Sequence, residues 1–234
     1  MNKTQISILK NFYNLKKIKF NNLKGEVPSN KFSYYINKLV KENYLYKGED
    51  GYILTDKGEK YLTYLNKIEE KKIKQPIQNI LLFPLKGNKY LFQKRDQRPF
   101  LGIFGPIGAK TKIGETIFET ANKRLFEDTG LNGEIKYKGI LEVRTYKNKK
   151  LFLHYFMNLF KITHLKGQLK NKVKKGENIW ITEKEYSKYK NKITGMNYHF
   201  EIIKSKSFMV IELNQYMDEK GNFIKSKLIS KLKV

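Results

Sequence analysis

Positions 124, 127 and 128 stand at i, i+3 and i+4, the spacing that puts side chains on one face of a helix. Glu127 and Asp128 fill two of them and Arg124 the third. Three carboxylates there would concentrate negative charge that only a divalent cation such as Mg²⁺ or Mn²⁺ relieves. A metal so held polarises phosphoryl oxygens and activates water. With Arg124 in the set, the cation is supplied covalently. Arg124 can pair with Glu127 or Asp128, and the face becomes self-neutralised or anion-seeking. Glu115 and Glu119 are acids upstream, and Lys110 and Lys123 are cations nearby. Glu119 is poorly placed to join, because it lies two turns before Glu127. An exposed ion-pair face with no site would use the same residues, each pair adding only a few tenths of a kcal/mol.

The elements that position these residues are readable in outline. A helix is expected over 117–129, stopped by Gly130 as a C-cap residue. Before it, an apolar run over 77–83, a turn at Gly87-Asn88 and the run Tyr90-Leu91-Phe92 read as a strand hairpin. An Arg-, Pro- and Gly-rich loop is expected over 95–114. After the helix, strands are expected over 135–146 and 151–162, joined by a turn at 147–150. Thr182 and Glu185 have capping-box spacing. A last long helix is expected near 197–216, with Trp180 at a sheet edge. Residues 218–234 read as a basic tail, with Ile224, Leu228 and Leu232 at i, i+4 and i+8 among lysines. Strands mixed with helices predict an α+β chain, here an α/β sandwich with a mixed sheet.

Residues 102–131 resemble the Nudix box and its approach loop. That box runs Gly, five residues, Glu, seven residues, then Arg-Glu-aliphatic-any-Glu-Glu-any-Gly-aliphatic. Anchored on Gly114-Glu115 and on Thr129-Gly130-Leu131, the fit needs no gap. Glu115 falls on the first acid, Leu125 on the aliphatic site, and Glu127 and Asp128 on the paired acids. Ala109 stands at the first Gly. Lys123 replaces the Arg and loses its planar fork. Arg124 replaces the Glu that in the family helps hold the cation. The resemblance implies an α/β/α Nudix-type sandwich over 77–217. If the domain is active, Glu127, Asp128 and Glu115 are the catalytic residues, and Glu127 and Asp128 hold Mg²⁺ or Mn²⁺. If hydrolysis is lost, Arg95, Lys110, Arg124 and Arg144 are the candidates for binding a phosphate-bearing ligand, with Lys123, Arg98 and Phe104 near them.

The first 75 residues carry a different pattern. Ile6, Leu9, Phe12 and Tyr13 repeat at helical spacing, so 4–14 reads as an amphipathic helix. A short segment over 20–25 follows. Ser29 is placed to cap a helix over 30–42 that buries Phe32, Tyr35, Ile36, Leu39 and Val40. Runs at 45–48 and 52–54 flank Glu49-Asp50-Gly51, a strong hairpin signal. Thr55 then opens a helix to about residue 70. This order resembles the winged helix-turn-helix family, and 51–59 resembles its wing-to-last-helix junction. The resemblance implies a DNA-binding module over 1–72, a third helix in the major groove and a hairpin on the backbone. Carried over residue by residue, Ser29, Asn30, Lys31, Ser33, Tyr34, Asn37 and Lys38 would face DNA, and Lys47 would sit on the wing. The polar face has no acid before Glu42, though a solvated helix face or a protein-binding one would look similar. Residues 73–76, ending at Pro76 after a charge run, read as a linker.

Composition limits the rest. The 234 residues, 40% apolar, suffice for two small cores or one large one. No apolar run of 18 residues spans a membrane, and 1–20 lacks a signal-peptide core, so a cytoplasmic protein is expected. Cys is absent, which removes disulfides, thiolate metal sites and Cys nucleophiles. His154, His164 and His199 are too scattered for a metal cluster. The charge of +26 invites a polyanion. Yet 44 Lys against four Arg also fits an AT-rich genome, and +8 over 1–75 against +18 over the remainder locates no binding face.

The two resemblances together imply a transcriptional regulator that binds double-stranded DNA, senses a nucleotide-type metabolite and forms a homodimer. An active Nudix hydrolase of nucleoside diphosphate derivatives and a protein-interaction adaptor are the alternatives.

Overall fold

The computed structural model describes residues 1–24, 28–65, 75–97 and 100–234. It divides into two compact units, Met1–Gln75 and Pro76–Val234. In the first unit, α1 (Lys3–Lys10) starts at Asn2 in a reciprocal capping box with Gln5 and ends in a 3-10 turn over Asn11–Tyr13. It is followed by β1 (Lys17–Ile18), α2 (Phe20–Lys24), α3 (Ser29–Lys41), β2 (Leu45–Gly48), β3 (Gly51–Leu54) and α4 (Asp56–Thr63). The three strands pair in the order β1-β3-β2. Gly51 lies where the hairpin crosses β1: a Cβ there would come within 2.6 Å of the Ile18 carbonyl oxygen, and its φ is +146°.

Phe32, Ile36 and Leu39 project from α3 into a core with Leu9, Phe12 and Tyr52. Each fully buried side chain of that kind stabilises by about 1.5–3 kcal/mol. Tyr35 and Val40 are only half-buried. Ser29 is not the cap: Pro28 holds the N-cap position of α3 and no side chain bonds there. Thr55 does cap α4, accepting from the Gly58 amide at 3.2 Å. The rest of the helix expected to residue 70, and most of the linker, fall on 66–74, outside the described residues.

The second unit contains β4 (Ile77–Lys86), β5 (Lys89–Arg95), β6 (Phe104–Lys110), α5 (Ile117–Thr129), β7 (Leu131–Lys147), β8 (Lys150–Gly167), β9 (Lys172–Val173), β10 (Gly176–Ile181), α6 (Glu183–Lys188), α7 (Met196–Lys204), β11 (Met209–Met217) and β12 (Phe223–Lys233). One nine-stranded sheet runs β12-β11-β7-β8-β4-β6-β5-β10-β9. It is mixed: β4 with β8 and β11 with β7 are parallel, the other pairs antiparallel. Alternation along β4 builds two cores. Ile80 and Leu82 pack with Ala121 and Leu125 of α5, while Leu81 and Phe83 pack with Phe200 and Ile203 of α7.

Three expectations need correction. The loop over 95–114 contains strand β6. Its glycines read as loop signals, but they serve close packing: a Cβ on Gly105 would meet Ile193 at 2.8 Å. The long helix over 197–216 is the helix α7 and the strand β11. Ser205 turns extended after Lys204, and Met209, Ile211, Leu213, Gln215 and Met217 then alternate into the core. The basic tail is β12, paired along β11, so this unit runs past residue 217 to Val234. Spacing of four fits a strand face as well as a helix stripe, which is why Ile224, Leu228 and Leu232 did not decide it.

Candidate functional site

Helix α5 is fixed at both ends. Thr116 accepts from the Glu119 amide at 3.1 Å, and the Glu119 carboxylate accepts from the Thr116 amide at 2.8 Å. Those bonds hold the Glu119 carboxyl below its ordinary range, and they commit it to the helix start. Gly130, in the left-handed conformation, closes the other end.

Each remaining acid of the set has its own cation. Arg124 Nη1 donates to Glu127 Oε2 at 2.9 Å. Lys123 Nζ lies 3.4 Å from Glu115 Oε1. Asp128 points inward, with 5% of its surface exposed, and Lys175 Nζ reaches it at 2.6 Å from the turn before β10. Asn178 ties this pair into the core. Its side-chain amide donates to the carbonyls of Asp128 and Lys170 at 2.8 and 2.7 Å, and its Oδ1 accepts from Gln93 at 3.0 Å. Lys175 and Asn178 were not legible as site residues; a lysine 47 positions along, in a basic turn, carries no local signal of its partner. The carboxylates of Glu115, Glu127 and Asp128 are each paired with a cation of the chain. Among the described residues no three His, Asp or Glu side chains gather as a metal-ligand group.

A cavity of about 170 Å³ lies on the α7 side of the sheet, lined by Asn79, Arg95, Lys110, Tyr155, His199 and Gln215 among apolar residues that include Phe100 and Phe223. The rings of Phe100 and Phe223 pair at 5.5 Å. Burial pulls the Arg95 guanidinium below its ordinary range, opposed by Tyr155 and Asp128, so Arg95 feels both the cavity phenol and the acid of α5. Burial pushes the Tyr155 phenol up, with Arg95 opposing. Two lining atoms, Arg95 Nε and Asn79 Oδ1, are buried with no hydrogen-bond partner among the described residues. His199 bonds the Gly195 carbonyl at 3.1 Å, and complete burial pushes its imidazole down to about 4. It is therefore neutral at pH 7.

The expected ligand-binding residues do not form one group. Arg95 and Lys110 share the cavity; Arg124 and Arg144 are not among its lining residues. Arg144 sits between Val143 and Thr145, which line the cavity, so strand alternation turns it to the other face of the sheet. There it bonds Glu142 and, at 3.3 Å, Glu212. Phe104 is core, 2% exposed and stacked on Tyr189. Arg98 lies outside the described residues.

In the first unit, Ser29, Asn30, Lys31, Tyr34, Asn37 and Lys38 are exposed on α3, Ser33 is half-buried, and Lys47 is exposed on the hairpin. Ser33, Asn37 and Lys47 line one surface groove with Lys19 and Asn21, two residues that sequence reasoning missed. Lys38 lies 3.9 Å from Glu42, and Asn30 is turned onto the Lys31 amide.

The second unit is thus an α/β/α arrangement around a large mixed sheet. That fold is the Nudix hydrolase fold. The mutator protein MutT of Bacillus halodurans superposes with a TM-score of 0.52 at 17% identity, over 65% of this chain and 97% of that one. The MutT Nudix hydrolase of Burkholderia pseudomallei gives 0.47 at 15% identity, over 56% of this chain and 100% of its own. The Nudix domain of Shewanella oneidensis NrtR, crystallised with ADP ribose, gives 0.45 at 15%, over 64% and 96%. No protein-family model and no curated protein matches the sequence. Among the described residues no helix is long and apolar enough to cross a membrane.

Proposed function

We propose that this chain is a DNA-binding transcriptional regulator whose Nudix-like domain senses a nucleotide-type metabolite without hydrolysing it. The observation that carries the second half is the pairing of the three acids at the box's acid positions with cations of the chain itself: Glu127 with Arg124, Glu115 with Lys123, Asp128 with Lys175. A metal held by Glu127 and Asp128 would have to displace Arg124 and Lys175 from them.

The cavity supports ligand binding. At about 170 Å³ it is smaller than the roughly 300–1,000 Å³ of whole-ligand pockets. It therefore takes one ring or sugar of a larger molecule. Arg95 Nε offers an unused donor and Asn79 Oδ1 an unused acceptor, which suits the mixed edge of a nucleobase. With His199 neutral, the cationic partners for a phosphate at this cavity are Arg95 and Lys110.

The first half is supported by the uncapped, acid-free start of α3, by the polar groove it shares with the hairpin, where Lys19 and Lys47 sit beside Glu49 and Asp50, and by the element order over the described residues to 65, which suits a helix in the major groove. Thermal melting of the full chain against a nucleotide panel, with and without Mg²⁺, tests the sensor. A ligand at 100 times its Kd adds about 2.7 kcal/mol; the expected stabilisation needs no metal, and stabilisation only with Mg²⁺ favours the hydrolase. Duplex binding tests the module. Lys38→Glu should weaken it and lower the slope of log affinity against log salt by about 1; unchanged binding removes α3 from the interface.

A further inference from the structure

The alternating residues of β7 and β11 divide the sheet chemically. Leu141, Val143, Ile211 and Leu213 are buried on the α7 side. Their neighbours, Glu142, Arg144, Tyr146, Glu212, Asn214 and Tyr216, turn to the opposite face and are half-exposed. Strand register sorts that face into rows. Tyr146 pairs with Tyr216, which pairs with Lys225; Arg144 pairs with Asn214, which pairs with Lys227. On β8, His154 lies opposite Arg144 and Phe156 opposite Glu142. The Tyr146 and Tyr216 rings stack at 5.6 Å and 22°, with Lys225 Nζ 5.2 Å from the Tyr216 ring. Phe152 and Phe156 are 55% and 37% exposed.

The two acids on this face are spent internally: Arg144 holds both Glu142 and Glu212, and His154 bonds Glu142 at 2.9 Å. Lys225 and Lys227, with Lys147, Lys149 and Lys150 at the β7–β8 turn, meet no carboxylate among the described residues. The face therefore combines aromatic rings with uncompensated cations. Bases stack on such rings in a sequence-tolerant way while lysines track the phosphates. A duplex hides its bases from them. A second copy of the chain would set one lysine row against another, which like-charge repulsion opposes.

We propose that the open face of β8, β7, β11 and β12 is a binding platform for single-stranded nucleic acid, using residues distinct from those of α3 and of the cavity. The test uses the full chain and a fluorescent oligo(dT) of about 16 nucleotides, a length an aromatic-lined groove spans, with a duplex of the same length as control. Tyr146→Ala with Tyr216→Ala should weaken oligo(dT) binding about tenfold or more, and Phe at both positions should restore it. Lys225→Glu with Lys227→Glu should weaken it and lower the salt slope by about 0.7 per lost phosphate contact. None of these should alter duplex binding, and Lys38→Glu should leave oligo(dT) binding intact. Thermal melts confirm that each variant is folded. Wild-type oligo(dT) affinity in a folded Ala pair, or no oligo(dT) binding by the parent chain, overturns the proposal. So does light scattering that shows a dimer broken by the same variants, which would assign the face to a second copy.

Discussion

Helices α3 and α5 have the same length, thirteen residues each, and opposite electrostatic economies. On and just before α5, Glu127, Glu115 and Asp128 are each matched by a cation: Arg124 from the same helix, Lys123 from the same helix and Lys175 from a distant turn. Its start is closed by a capping box. On α3 no side chain caps the start and no acid lies in the first turn; among the described residues, Lys38 meets Glu42 only at 3.9 Å, Asn30 accepts from the Lys31 amide, and Asn37 and Tyr34 are exposed. A surface satisfied from within needs no external ion. A surface left unsatisfied offers donors to a phosphate backbone. The comparison teaches that charge content alone does not mark a site; what decides is whether the partners are supplied by the chain.

The largest test concerns how deeply that satisfaction is built in. Lys175→Met leaves Asp128 buried without its cation and should cost about 3 kcal/mol, the lower end for a broken buried pair because Lys175 is partly exposed. Arg124→Gln opens a pair that water reaches and should cost under about 1 kcal/mol. Urea midpoints of the two variants check this, and equal effects would mean that Asp128 is not anchored as described. Next come the helix starts. Thr116→Ala removes a cap and should cost about 1 kcal/mol, whereas Ser29→Ala, at a position that caps nothing, should stay within about 0.5 kcal/mol. A larger loss at Ser29 than at Thr116 would reverse the contrast between the two helices.

Much of this was legible in the chain. The frame from Glu115 to Leu131 set α5 and its stop at Gly130, and the apolar spacing of Phe32, Ile36 and Leu39 set the inner face of α3. Helix spacing allowed Arg124 to pair with Glu127 or Asp128, and it pairs with Glu127. What failed did so for physical reasons. Asp128 was read with its neighbours as one surface, but the helix turns it inward, and its partner Lys175 is fixed by tertiary packing that no local pattern encodes. Arg144, expected beside Arg95 as a phosphate-binding candidate, is sent by a single step of strand alternation to the opposite face of the sheet. Strands β6 and β12 were missed because glycines and four-residue spacings are ambiguous without a neighbour to pair with.

We propose that cations of the chain, from α5 and from the turn before β10, close the acids of α5 to metal. Product release from a panel of nucleoside diphosphate derivatives in saturating Mg²⁺ or Mn²⁺ tests it most directly, with Arg124→Glu measured alongside. The expected result is no metal-dependent turnover by the parent chain, with any gain confined to the variant. Turnover by the parent chain that disappears in Glu127→Gln would contradict it.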